Sequence, residues 1–203
     1  MSVDLLICVA VELECERLRA RLRDGRIGDF AVELLVTGVG PVNAAHAATL
    51  HLARNPVRGL INCGVAGAYP GSGLELLDVA CAASDTFGDL GSDSPDGFVE
   101  LTGTSHAFPA TLFPHERQLP FVTVSTCTGT DSRAHELVAR TGGAIESMEG
   151  AALLRVAHAM EVPAGEIRAI SNHVGDRDRA AWKLREAAGA AQDALIDWIE
   201  QGC

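Results

Sequence analysis

Three side chains in this sequence combine reactive chemistry with positions that demand a reason: Glu14, Glu149 and Asn172. Glu149 lies in "IESMEGAALLRVAHAM" (145–160), on the stripe formed by Ala152, Leu153, Val156 and Met160 at helical spacing. A carboxylate on a buried stripe is costly unless something pairs with it. Either a backbone N–H early in the helix satisfies Glu149, or a polar ligand does. Glu14 poses the same question in "VAVELECERL", where it falls on the stripe of Val11, Cys15, Leu18 and Leu22, directly after an apolar run. It faces the interior or a cleft, or it is a first-turn glutamate held by the helix dipole. Asn172 closes the strand-like run "EIRAISNHVG" just before a glycine-bearing loop. An amide there either contacts a ligand or caps the turn.

The elements that must position these groups alternate. Apolar runs at 4–11, 30–38, 58–69, 77–84, 121–129 and 166–175 predict strands; residues 12–22, 132–142 and 178–201 predict helices, 39–54 a turn and helix, and 144–162 includes a longer helix. Pro41 suits the first position of the second helix, where its missing N–H costs little. This alternation implies one α/β layered domain over 1–203 with a largely parallel sheet. Ligands of such sheets bind beyond the carboxyl ends of the strands. Those ends carry 11–14, 64–68, 128–130 and 171–173, so Glu14 and Asn172 both belong to them. Between 85 and 120 the pattern gives way to a stretch rich in Gly, Pro, Ser and Asp, a long excursion with a short strand or two; long loops in compact domains are usually functional. Trp182 and Trp198 are expected to pack the last helix, and "DRDR" (176–179) to form its solvated, salt-bridged start.

Composition narrows the partners. A net charge of -11 over 203 residues disfavours nucleic acid and anionic membranes. The N-terminus has no basic segment before its apolar run, and no apolar run reaches the roughly 18 residues of a membrane span. The six cysteines form no C-x-x-C pair, which suggests reduced thiols in a cytoplasmic protein. No H-x-x-x-H pair occurs, so no metal site is expected. "TGVGPVNAA" and "CGVAGAYPGSG" lack the later features of a dinucleotide fingerprint, and G-x-S-x-G is absent.

The ordered set of motifs resembles a known family. "AVELECERL", "VTGVGPVNAA", "LINCGVAGAY", "ESMEGAAL" and "IRAISNHVGDRD" are similar, in order and spacing from about residue 4 to 178, to the methylthioadenosine/adenosylhomocysteine nucleosidases of the purine nucleoside phosphorylase-like superfamily. The implied fold is a three-layer α/β/α phosphorylase-like one around a central mixed, largely parallel twisted sheet. Three departures sharpen the resemblance. The phosphate loop G-D-P-x-R of the phosphorylases is missing, which favours water as nucleophile. Asn172 stands where adenine-specific members have Asp. "TFGDLG" and "TCTGTD" differ from the adenosine enzymes, and with "SMEGAA" and "SNHVGDRD" they resemble the futalosine hydrolases of the alternative menaquinone route. Futalosine is an inosine derivative whose 5′ end carries a benzoate-bearing chain.

That resemblance implies a hydrolysis without metal or organic cofactor. Glu14 would deprotonate the attacking water, and Asn172 would stabilise the leaving hypoxanthine. Glu149 would accept from the ribose hydroxyls, with Met148 packed on the sugar. Val65, Ala66, Gly67, Thr128, Gly129 and Thr130 would frame the base, with Ser171 beside Asn172. Val65 replaces a serine of the adenosine enzymes, leaving that hydroxyl's contact without a counterpart. An amide suits a 6-oxopurine because O6 and N7 are both acceptors. The alternatives are a nucleosidase for methylthioadenosine, adenosylhomocysteine or inosine-like substrates, a phosphorylase, and a catalytically silent nucleoside-binding protein. The resemblance also implies a homodimer or larger assembly, with the 85–115 excursion approaching a neighbour's 5′ pocket.

Overall fold

The computed structural model describes residues 3–101, 106–176 and 178–202; residues 1–2, Cys203, Arg177 of "DRDR", and 102–105, which include the start of "GTSHAFP", lie outside the described residues. The strands are β1 (Val3–Val9), β2 (Arg26–Ile27), β3 (Phe30–Val36), β4 (Val57–Ala68), β5 (Val79–Phe87), β6 (Gly91–Ser94), β7 (Gly97–Glu100), β8 (Ala107–Pro109), β9 (Gln118–Thr123), β10 (Ile145–Ser147) and β11 (Ala164–His173). The helices are α1 (Glu16–Arg21), α2 (Pro41–Leu52), α3 (Asp131–Thr141), α4 (Gly150–Ala159) and α5 (Leu184–Glu200). Nine strands form one mixed sheet in the order β10-β9-β5-β11-β4-β1-β3-β2, with β8 paired to β5; β6 and β7 form a separate hairpin.

Strand β1 shows why this sheet sits between helix layers. Leu5, Ile7 and Val9 point to one face and pack with Ile61, Ile167 and the α5 residues Ala187, Ala191, Leu195 and Ile199. Leu6 and Cys8 point to the other face and meet Leu60, Ala44 and Ala48 of α2, and Leu153 and Leu154 of α4. A strand covered on both faces needs an unbroken apolar run, which is what "LLICV" supplies. Each such Leu or Ile contributes about 1.5–3 kcal/mol by leaving water.

One pairing shapes the site. Strand β4 runs parallel to β1 and β11, but its far end outlasts β1. There β10 takes the vacated edge, antiparallel, with Ile145 opposite Ala68 and Glu146 opposite Gly67. Because β10 also pairs with β9, the strands β10-β9-β5-β11-β4 close into a ring at this end of the sheet.

Several elements differ from the sequence reading. The segment 144–162 includes the expected helix as α4, but it also holds the unexpected strand β10, because β9 and β4 capture residues 145–147 from both sides. Glu12–Cys15 is a 3₁₀ turn, and only Glu16–Arg21 is α-helical. The last helix begins at Leu184, while Asp178 caps a separate 3₁₀ turn at Arg179–Ala181. The excursion contains the β6–β7 hairpin and β8. Among the described residues no helix is long and apolar enough to cross a membrane. Cys8, Cys15, Cys63 and Cys81 are buried free thiols; Cys127 is partly exposed, its thiol 3.2 Å from the Met148 sulfur.

Candidate active site

A cavity of about 350 Å³ opens at the carboxyl ends of β1, β4 and β11. Its wall brings together Glu14, Val65, Ala66, Gly67, Thr128, Met148, Glu149, Ser171 and Asn172 from five separate stretches of chain. Gly129 and Thr130 are not part of that lining; the Thr130 hydroxyl accepts from the Arg133 N–H as the cap of α3.

Glu14 is only 4% exposed. Its Oε2 accepts from the N–H groups of Ala10 (2.9 Å) and Val11 (3.2 Å), and its Oε1 from that of Val65 (2.9 Å). The 3₁₀ turn immediately after β1 folds the side chain back over the strand end, so the carboxylate is fixed by backbone alone. Burial raises its pKa above the ordinary glutamate value, and the Arg168 charge and the Val65 N–H oppose that rise without cancelling it. Val65 thus serves the site through its main chain: its N–H holds Glu14, and its carbonyl accepts from Arg168 Nη1 at 3.3 Å.

Glu149 is the last residue before α4 rather than a member of its stripe. Its Oε1 accepts from the Gly40 N–H at 2.9 Å, and its Oε2 meets Arg168 Nη2 at 3.3 Å. Arg168, on β11, is buried to 1% exposure and also donates from Nε to Glu166 Oε1 at 2.7 Å. Burial alone would lower the guanidinium pKa, but Glu166, Glu149 and Glu14 together push it up, so its charge is secure. Below Arg168, Glu166 and Asp85 are both fully buried. Thr123 donates to Asp85 at 3.0 Å, and Asn62 donates to Glu166 at 3.2 Å. Glu166 Oε2 has no donor among the hydrogen-bonding groups around it. Burial, then repulsion from Glu166, raises the Asp85 pKa well above the usual carboxylate range. Gly150 opens α4 directly above this pair, and a Cβ there would collide with both carboxyls.

The opposite wall is held by hydroxyl groups. Glu146 Oε2 accepts from the Tyr69 hydroxyl (2.7 Å) and the Thr128 hydroxyl (2.5 Å), and Oε1 from the Thr128 N–H (2.9 Å). Thr128 therefore directs its donors to Glu146, not toward the cavity as a bare backbone frame would. Ser171 Oγ lies 2.8 Å from Asn172 Oδ1, and Asn172 Nδ2 donates to the His173 carbonyl at 3.1 Å. This orientation of the amide is the consistent one, since a flipped amide would set Oδ1 against the His173 oxygen. Asn172 keeps one N–H for the cavity. At the rim stand Val39, Arg179, Trp182 and Leu184, with the Arg179 guanidinium 5.9 Å from the Trp182 ring centre. Trp182 thus lines the cavity rather than packing α5, whereas Trp198 does pack against the core.

Sequence reasoning did not single out Arg168, Glu166, Asp85 or Glu146. A signal was present for two of them. Glu166 and Arg168 stand two apart in an otherwise apolar strand, so they share a face and need partners there.

Comparison with known proteins agrees with this architecture. Residues 9–200 match the family model described as the phosphorylase superfamily. The chain is 39% identical over 184 residues to a futalosine hydrolase of Streptomyces coelicolor, covering 80% of this chain and 76% of the relative. It is 36% identical over 176 residues to a futalosine hydrolase of Thermus thermophilus, covering 79% and 78%. Among solved structures, the 5′-methylthioadenosine/S-adenosylhomocysteine nucleosidase of Neisseria meningitidis, in complex with methylthio-immucillin-A, superimposes with a TM-score of 0.86 at 20% identity. That match covers 98% of this chain and 99% of the other, and shows a shared fold.

Proposed function

The chain belongs to the phosphorylase superfamily and, within it, to the futalosine hydrolase family, and from that premise we propose that it cleaves the N-glycosidic bond of futalosine with water. The products are hypoxanthine and dehypoxanthine futalosine, in the alternative route to menaquinone. The observation that carries this reading is the state of the polar groups around the cavity. A carboxylate offers about four acceptor positions. Three are occupied on Glu14, leaving one for a water; two are occupied on Glu149, leaving two for a vicinal diol.

The chemistry then follows from placement. As the glycosidic bond stretches, positive charge develops on the ribose and negative charge on the base. Glu149 accepts from the 2′- and 3′-hydroxyls and fixes the sugar, while Met148 packs against it. Asn172 donates its remaining N–H to the hypoxanthine edge, where the leaving group gathers charge. Glu14 holds the water and takes its proton; the pKa raised by burial makes it a stronger base than an exposed glutamate. Arg168 holds Glu149 in place but is itself engaged by Glu166, Glu149 and the Val65 carbonyl. A phosphate entering the cavity would therefore face Glu14, Glu146 and Glu149 with no uncommitted guanidinium at its floor, which favours water. At the mouth, Arg179 and Trp182 offer a cation and an indole, chemistry suited to an aryl carboxylate on the 5′ chain.

The same reading places the enzyme in the cytoplasm, in keeping with its free thiols, as a homo-oligomer. Exposed Val39, Val42 and Leu50, on and just before α2, support a self-association surface beside the cavity. The test sets futalosine, inosine and methylthioadenosine side by side, with and without phosphate. Hypoxanthine release is expected to be fastest from futalosine and indifferent to phosphate. Turnover that requires phosphate and yields a ribose 1-phosphate ester would refute hydrolysis.

A further inference from the structure

We propose that Glu146 is a specificity-determining residue that accepts the N1–H of the 6-oxopurine, completing with Asn172 a two-sided recognition of the base. The inference rests on the futalosine reading and names a contact that reading lacks. Hypoxanthine presents two acceptors, O6 and N7, and one donor, N1–H. Asn172 can serve the acceptors, but its free group is an N–H and cannot receive N1–H.

Position supplies the partner. In the ring closed by β10, Glu146 and Asn172 are both register partners of Gly67, one on each edge of β4. Residues directly opposite across a ladder project to the same face, and neighbouring strands lie about 4.8 Å apart, so the two side chains stand about 10 Å apart at their Cα atoms. Both line the cavity. Between them Gly67 has no side chain; a Cβ there would lie 2.6 Å from Val174 Cγ2 and 3.1 Å from Asn172 Nδ2. Val174 and the Asn172 amide therefore fill the space directly over Gly67, and a base edge is received in the cavity that Glu146, Gly67 and Asn172 line together.

The state of Glu146 fits the role. It is 7% exposed, and three donors from Tyr69 and Thr128 occupy three of its acceptor positions. One position remains. Burial and the adjacent carboxylate push the Tyr69 phenol far up, so it stays a donor. A 6-aminopurine carries a lone pair at N1 and would set it against the carboxylate. Asn172 and Glu146 would thus reject that base at two positions, the 6-amino group on one side and N1 on the other.

A purely structural Glu146 would only tie β10 to Tyr69 and Thr128. Two measurements separate the cases. The wild-type protein is given futalosine and its N1-methyl derivative, which keeps O6 and N7 but lacks the donor. The proposal expects kcat/KM to fall on the order of 10²-fold or more. Glu146→Gln is then compared with wild type on futalosine and its 6-amino analogue. The ratio of the two kcat/KM values is expected to shift toward the 6-amino substrate by about tenfold or more, since an amide can donate to N1. Turnover of the N1-methyl substrate within threefold of futalosine overturns the proposal, even if the variant fails to fold. So does an unchanged ratio in a folded variant. Failure of the wild type to hydrolyse futalosine at all would instead overturn the reading on which the proposal rests.

Discussion

The two walls of the cavity hold their charged and polar groups by different means. On the sugar side, Glu14 is fixed by three backbone N–H groups, and Glu149 by one backbone N–H and a buried guanidinium. On the base side, Glu146 takes two of its three hydrogen bonds from hydroxyls, and Asn172 is oriented by the neighbouring Ser171 hydroxyl. Backbone donors at strand ends cannot be substituted away, so the groups on the sugar side are as rigid as the sheet itself. Side-chain donors can be exchanged one at a time. On the proposed reading, the reacting bond is thus handled by the invariant geometry of the fold, and the identity of the base by replaceable side chains. Changes on the sugar wall should act on turnover for every substrate; changes on the base wall should act on the choice among substrates.

The largest expected effect tests the first half of that statement. Glu14→Gln should lower kcat for futalosine by roughly 10²–10⁴-fold, the range for losing a general base, while hypoxanthine still binds. An amide can accept at only one atom, so at least one of the Ala10, Val11 and Val65 N–H groups would face an NH₂. The pH profile gives an independent check. Turnover needs Glu14 ionised, and its pKa is raised, so the acid limb of kcat/KM should lie above the ordinary glutamate value of 4.5. Near-normal kcat in the variant would remove Glu14 from the role of base.

The next effect tests the second half. Asn172→Asp should change substrate preference more than overall competence. The Ser171 hydroxyl can still donate to the new carboxyl, but the second oxygen now faces the His173 carbonyl and the base. Toward O6 and N7 of hypoxanthine an ionised aspartate has nothing to donate; a loss on the order of 10²-fold in kcat/KM follows. Toward a 6-amino purine, a protonated aspartic acid can donate to N7 and accept from the amine, so the ratio of the two substrates should move. If both fall together, Asn172 serves the turn before Gly175 and not the base.

What the sequence disclosed divides along the same line. Glu14, Glu149 and Asn172 were legible because each sits at a strand end or helix start, where a local pattern exposes a polar group out of place. The helical stripe drawn through Glu149 was nevertheless too long, since α4 starts one residue later. Strand β10 was illegible: three residues carry no periodicity, and they are a strand only because β9 and β4, distant in the chain, hold both their edges. With β10 went Glu146, whose place opposite Gly67 is a consequence of ring closure. Arg168 and Glu166 lay hidden for another reason. Their partners, Glu149 and Asp85, come from α4's start and from β5, and no spacing within "EIRAIS" discloses them. Trp182 was misplaced because the helix it was assigned to begins two residues beyond it.

The smallest expected effect concerns what lies beneath the sugar wall and leaves the base wall alone. Asp85 and Glu166 are two fully buried carboxyls under Gly150, with one oxygen of Glu166 lacking a donor. A proton held on Asp85 and donated to Glu166 Oε2 resolves both the repulsion and the missing donor, and burial favours that neutral form of Asp85. Asparagine reproduces it: Oδ1 accepts from the Thr123 hydroxyl, and Nδ2 donates to Glu166 Oε2. The pH dependence has a definite sign. Below the ordinary aspartate value both folded and unfolded chains hold the proton, and the site costs nothing. As pH rises past that value the unfolded chain releases its proton while the folded chain retains it, so wild-type stability declines until the raised folded pKa is passed. Asp85→Asn removes that decline. The variant should match the wild type near pH 4 and exceed it at pH 7 by about 1 kcal/mol or more, roughly 2–4 °C in Tm for a chain of this size. kcat should stay close to normal, because Arg168 keeps its bond to Glu166. Asp85→Ala, which strands the Thr123 hydroxyl and Glu166 Oε2, should instead lose about 1–3 kcal/mol. Thermal melts of the three proteins across this pH range decide the matter. A gap between wild type and Asp85→Asn that stays constant with pH would mean that Asp85 holds no extra proton in the folded chain, and that the support beneath Arg168 is organised in some other way.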